Sequence, residues 1–257
     1  MTRRHLGEWW GRADDGALAR VVVEAVDVGD PVEPLADTPS WWPPIGLHRL
    51  DEVPASERDA TITLRARADV PASLDRLESD LGLFTAERLD DLVAVHAAVI
   101  DIGDDRVVVP GPSMVGKSTL AAAALARGWV VASDEYALVA AASGAVRGWP
   151  RRIRLRSADG AVRLDAPHLS RALEPKSPAL VAVLVHDAEC AGLDVRAMSP
   201  GETVLEVLAN TVCAASRPEF AFGGVVALAE TTRAVVGRRG EADGALGALA
   251  DLLASAG

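Results

Sequence analysis

Two lysines, two cysteines, three methionines and a single tyrosine are all that the 257 residues contain of those types. Cys190 and Cys213 are too few and too far apart for a disulfide framework or a Cys-x-x-Cys metal clip, so both read as small packing residues. Positive charge is short as well. With 26 basic residues against 37 acidic ones the formal charge is −11, which repels polyanions and argues against nucleic acid or an anionic membrane as partner. No uncharged apolar run reaches the roughly 18 residues of a membrane span. The opening MTRRHLGEWW has Gly, Glu and Trp where a secretory signal needs an unbroken apolar core, so a cytoplasmic protein is expected.

What is present is enough for a core. Nearly half the chain is hydrophobic, mostly Ala, Val and Leu, and the length suits two parts: a small mixed α+β domain over residues 1–90 and a larger α/β domain over 91–257. In the first part, residues 19–28 and 60–70 read as strands, the second alternating apolar with polar residues as an edge strand would. Residues 30–46 are too rich in proline for one regular element. Residues 71–95 carry leucines at helical spacing and predict one or two helices. The tryptophan pairs Trp9-Trp10 and Trp41-Trp42 are core anchors or a recognition surface for a peptide.

From residue 93 the texture changes. VAVHAAVIDI and RVVVPG predict two strands joined at Gly103-Asp104-Asp105, followed by an Ala- and Leu-rich helix over 118–127 that stops at Gly128. The apolar strand WVVASDEYALV comes next. Further on, strands are predicted over 149–156 and 179–186, and helices over 201–213 and 244–255, the last packing by Leu246, Leu249, Leu252 and Leu253. No internal repeat stands out.

The segment from Gly111 to Ser118, GPSMVGKS, fits the P-loop (Walker A) pattern G-x-x-x-x-G-K-[ST], and it lies between a predicted strand and a predicted helix as that pattern requires. Backbone N–H groups across Gly111, Ser113, Met114, Val115, Gly116, Lys117, Ser118 and Thr119 would surround a phosphate at the helix N-terminus. Lys117 supplies charge, and the Ser118 hydroxyl can hold Mg²⁺. The chain's own glycine and lysine frequencies give about one chance match in a thousand such chains. Only Lys117 and Lys176 are lysines, since arginine fills the other basic positions, so a lysine at this point is informative.

A phosphate loop says where a nucleotide sits; acidic partners decide what happens to it. Asp134 and Glu135 follow the apolar strand one helix downstream. One could hold Mg²⁺ and the other accept a proton from an attacking hydroxyl. Along WPRRIRLR, Arg152, Arg154 and Arg156 share one strand face; Arg152 and Arg154 are candidate contacts to phosphate or an acidic substrate, and a plain solvated face is the alternative.

His96, Lys117 in its loop, Arg127-Gly128 closing the helix and Ser133-Asp134-Glu135 together resemble the HPr kinase/phosphorylase family. That family has a strand histidine, a P-loop and an R-G-h-x-L-x-A-D-D segment; with the loop lysines aligned, the spacing to the histidine and to the acid pair matches without a gap. WPRRIRLR and MSPGE also resemble later segments of HPr kinase-related proteins, so the likeness spans about residues 93–255. It implies a P-loop core of HPr kinase type and ATP- and Mg-dependent transfer of a phosphoryl group to a hydroxyl. The acceptor would be a Ser or Thr of a peptide or protein, or a small hydroxylated metabolite; true HPr is a weak candidate. Lys117 would neutralise the transferred phosphate, Ser118 and Asp134 would hold Mg²⁺, and His96 would meet phosphate or the acid pair. Glu135 stands where the family has its second aspartate, the proton acceptor, so the base is Glu135 or Asp134. A hexamer is what the family suggests. A nucleotide-binding sensor without transfer is the rival reading; an LSGGQ-like signature and an N-K-x-D guanine reader are both missing.

Overall fold

A computed structural model describes residues 85–149, 153–157, 160–164 and 173–255. Before them it describes residues 79, 82 and 83 and the backbone of three short strands. The chain divides into two compact units, Met1–Arg88 and Leu89–Gly257. In the first, β1 (Arg20–Ala25), β2 (His48–Arg49) and β3 (Thr61–Ala66) form a small sheet in the order β1-β3-β2. β3 pairs on both sides, parallel to β1 and antiparallel to β2, so the expected edge strand is central. Alternation of apolar and polar residues along a strand does not distinguish an edge strand from a central one. The tryptophan pairs lie outside the described residues.

The second unit is mixed α/β. Its elements run β4 (Leu92–Ile102), β5 (Asp105–Pro110), α1 (Lys117–Ala126), β6 (Val130–Ser133), β7 (Tyr136–Ala140), β8 (Val146–Gly148), β9 (Ile153–Ser157), β10 (Gly160–Leu164), β11 (Leu180–His186), β12 (Leu193–Ala197), α2 (Pro200–Leu208), α3 (Pro218–Thr231), β13 (Arg233–Arg239) and α4 (Ala242–Ala254). Eight strands form one sheet in the order β12-β13-β11-β5-β4-β7-β8, with β6 also on β4; β9 and β10 form a separate antiparallel pair. β5, β11 and β13 are mutually parallel, whereas β4 runs antiparallel to β5, β6 and β7.

Both faces of the sheet are covered. Ala98, Ile100, Val107 and Val109 pack with Leu120, Ala121 and Ala124 of α1 and Leu246, Leu249 and Leu253 of α4. Val95, Val99 and Val108 turn the other way, toward Val207 of α2 and Ala221, Val225 and Leu228 of α3. The alanines of α1 let it lie close on the strands, and each leucine taken fully from water contributes about 2 kcal/mol. At the far end of α1 the N–H of Gly128 bonds Leu125 O and that of Trp129 bonds Ala124 O, a Schellman ending in which Gly128 takes φ 75° without a Cβ penalty.

Three expectations are corrected. Leu92 and Val95 belong to β4 and not to a helix: a strand buried on both faces is apolar at nearly every position, so it also satisfies helical spacing. The run 129–139 is two strands, broken at Asp134-Glu135. The helix expected to reach residue 213 stops at Leu208, because the following segment leaves to pair with β4: His96 N–H bonds Asn210 O and Val212 N–H bonds Ala94 O. β8, β10, β12, α3 and β13 were not foreseen. Among the described residues no helix is long and apolar enough to cross a membrane.

Candidate functional site

The site forms where β5 and β6 end. β4 lies between them and runs the opposite way, so β5 and β6 point in the same direction and deliver their following loops to the same edge of the sheet. The first loop is residues 111–116, leading into α1. The second is the turn Asp134-Glu135 between β6 and β7. His96 stands between the two: its carbonyl accepts the N–H of Gly111, and in register it faces Tyr136, the residue after Glu135.

The loop after β5 has an unusual backbone. Met114 takes φ 74°, the only positive φ at a non-glycine among the described residues, and Gly116 takes φ 91°. Left-handed turns of this kind direct successive N–H groups to one side. Strain held at an exposed residue such as Met114 is characteristic of ligand-binding loops. Gly116 is the N-cap of α1, and no side chain caps the helix. The N–H groups of residues 115–119 donate to no described group, so they make up the donor set that an anion at a helix N-terminus takes.

Lys117 is buried as the first residue of α1, and its Nζ donates to Gly111 O at 2.7 Å and Pro112 O at 2.8 Å. An ammonium has three N–H bonds, so one remains for a ligand. Burial pulls its pKa from the usual 10.5 down to about 8, and the charges of Glu135 and then Asp134 oppose the fall. That opposition reflects how near the acid turn lies to the lysine. Ser118 makes the direct link: its Oγ donates to Asp134 Oδ2 at 2.8 Å.

The acid turn is held by Ser133, whose Oγ accepts the N–H groups of Glu135 and Tyr136, both at 3.1 Å, while Glu135 O accepts Ala97 N–H. Asp134 is buried at 2% exposure and Glu135 is half-buried, so the pair is split between an inner and an outer carboxylate. Among the described residues no group of three or more His, Cys, Asp or Glu side chains could hold a metal ion. Ser118 and Asp134 instead offer two hard oxygens side by side, which suits Mg²⁺, an ion that completes its shell with phosphate and water. The residues present therefore fit both a triphosphate and its metal.

His96, Gly111, Lys117, Ser118, Asp134 and Glu135 lie together at this edge of the sheet. Ser113 and Met114 are exposed on the loop, Val115 is half-buried, and Thr119 is exposed one residue into the helix beyond Ser118. Arg152 lies outside the described residues, as does the side chain of Arg154, whose backbone is in β9. Two contributors were not foreseen. Asn210 O holds the N–H of His96 at 2.7 Å, and Arg239 at the end of β13 reaches the loop's carbonyls. No motif marks either residue; Arg239 is one of many arginines in a chain that uses arginine for nearly every cation.

No protein-family model matches the chain, and no curated protein does. Chains of known structure do match it. Among them is the Hpr(Ser) kinase/phosphatase from Coxiella burnetii, 16% identical over 63% of this chain and 95% of that one, with a TM-score of 0.35.

Proposed function

We propose that this chain is a P-loop phosphotransferase of HPr kinase type, which uses Mg-ATP to phosphorylate a hydroxyl, that of a serine or threonine in a peptide or protein. The observation that carries this reading is the hydrogen bond from Ser118 to Asp134, with Lys117 buried beside both acids. It ties a phosphate-binding loop to a carboxylate turn in the manner a metal-bridged triphosphate requires.

The N–H groups of residues 115–119 and the Lys117 ammonium bind and orient the phosphates. Ser118 and Asp134 would hold Mg²⁺, which when bound neutralises phosphate charge. Glu135 takes the role of base. Asp134 is buried and engaged by Ser118, whereas Glu135 is the half-buried, outer carboxylate of the pair. It accepts the hydroxyl proton as the new oxygen–phosphorus bond forms and the bond to the departing diphosphate breaks. Lys117 steadies the negative charge on the transferred group throughout. His96, fixed through its own N–H and C=O, lines the wall between loop and base.

The test is a pair of variants. Lys117→Ala is expected to lose Mg-ATP binding by calorimetry. Glu135→Gln is expected to keep it while transfer of label from γ-labelled ATP to peptide or protein acceptors falls by about 10² or more. Undiminished transfer by Glu135→Gln would overturn the assignment of the base. Wild-type protein that binds Mg-ATP yet labels no acceptor would favour a nucleotide sensor.

A further inference from the structure

Arg239 is a buried cation in an odd setting. It is 4% exposed, at the end of β13, and it forms no ion pair among the described residues. Its hydrogen-bond partners are main-chain carbonyls. Nη1 donates to Gly240 O at 2.9 Å, and Nη2 donates to Val115 O and Gly116 O, each at 3.3 Å. Burial lowers its pKa from the usual arginine value, and Glu241 only partly opposes this. An arginine kept only for packing would be better replaced by an apolar side chain of like volume.

The two carbonyls at Nη2 belong to consecutive peptide planes. The plane holding Val115 C=O also holds Gly116 N–H, and the plane holding Gly116 C=O also holds Lys117 N–H. In a trans peptide C=O and N–H point in opposite directions. Drawing Val115 O toward the guanidinium therefore turns Gly116 N–H away from it, while Gly116 O is shared between Arg239 and the helix bond from Leu120 N–H at 3.0 Å, which turns Lys117 N–H the same way. A charged donor on a carbonyl also polarises the N–H across the same peptide. Gly116 is what permits the approach: a Cβ there would run into Nη2 of Arg239, and φ 91° is strained for a residue with a side chain.

We infer that Arg239 is a positioning residue for the triphosphate: from behind the loop it aims the N–H groups of Gly116 and Lys117 at the phosphates and offsets their charge without touching them. The inference rests on the phosphate-loop reading given above. The experiment measures Mg-ATP affinity of the full chain by calorimetry for wild type, Arg239→Ala and Arg239→Lys, with and without millimolar methylguanidinium. Arg239→Ala is expected to bind roughly 10-fold to 100-fold more weakly, the range for losing hydrogen bonds from a charged donor. Methylguanidinium should restore part of that affinity, which a merely structural defect would not allow. Arg239→Lys keeps the charge without the fork and should fall between. Wild-type affinity in Arg239→Ala, or a loss that methylguanidinium leaves unchanged, would overturn the inference. If Arg239→Ala does not fold, a folded Arg239→Lys with undiminished affinity overturns it. Failure of wild type itself to bind Mg-ATP would bring down the phosphate-loop reading and this inference together, whereas binding by wild type with unaffected variants removes this inference alone.

Discussion

On the proposed reading, Lys117 would set the pH range over which the site binds nucleotide. Its pKa of about 8 lies below the 10.5 of an exposed lysine because burial penalises the charged form. Between those two values the unfolded chain holds the proton that the folded chain has released, so this residue's contribution makes stability rise with pH across about 8 to 10.5. Nucleotide affinity is expected to move the opposite way. Below pH 8 the ammonium is charged and ready for phosphate; above it the charge must be regained on binding. Calorimetry with Mg-ATP should therefore find an affinity level between pH 6.5 and 7.5 and about tenfold weaker at pH 9. A flat profile to pH 9 would mean that Lys117 does not meet the phosphates. The loop of the candidate site was legible in the sequence, because G-x-x-x-x-G-K-S constrains backbone and side chain together. Which of Asp134 and Glu135 is turned inward was not, since that is set by the turn between β6 and β7. Arg239 was beyond reach for a different reason: its partners are carbonyls 123 and 124 positions away in the chain, and no pattern records those.

Among the elements, the β4–β5 hairpin carries the most weight, because the loop leaves from β5 and His96 sits in β4. Its turn end is fastened by a buried cluster. Arg106 Nε and Nη2 bond Asp101 Oδ1 and Oδ2 at 2.7 and 3.0 Å, its Nη1 reaches Val146 O and Glu174 O, and Lys176 Nζ donates to Asp101 Oδ2 at 3.1 Å. One carboxylate thus faces two cations, and the guanidinium ties the hairpin to β8 and to the segment before β11. Asp101→Asn should cost about 3–5 kcal/mol, the range for leaving a buried charge without its partner. Urea unfolding would register this as a lower midpoint with an unchanged slope; a loss within 0.5 kcal/mol, the size of an ordinary surface substitution, would show that the cluster does not fasten the hairpin. The hairpin itself is legible, from apolar β-branched runs on either side of Gly103-Asp104. The break between β6 and β7 is not, because both strands pair with β4 and are equally apolar. α3 escaped notice because its sequence, PEFAFGGVVALAET, is apolar on most sides and carries two adjacent glycines, so it has little helical contrast to read.

For the whole molecule, a formal charge of −11 means that the proposed binding of a triphosphate would have to rest on a local concentration of donors and cations. The mixed sheet makes it possible by ending β5, β6 and β13 at one edge, where Lys117 and Arg239 gather beside the N-terminus of α1 and the Asp134-Glu135 turn. Sequence alone could supply the loop and the acids but not their shared edge, which follows from β4 running antiparallel between β5 and β6. The central claim is that loop and acid turn face one triphosphate through one metal ion, and ATP titrations with and without Mg²⁺ test it most directly when wild type is set against Asp134→Asn. The prediction is that Mg²⁺ tightens ATP binding to wild type and that Asp134→Asn keeps the Mg-free affinity but loses that tightening. An equal gain from Mg²⁺ in both proteins would contradict it.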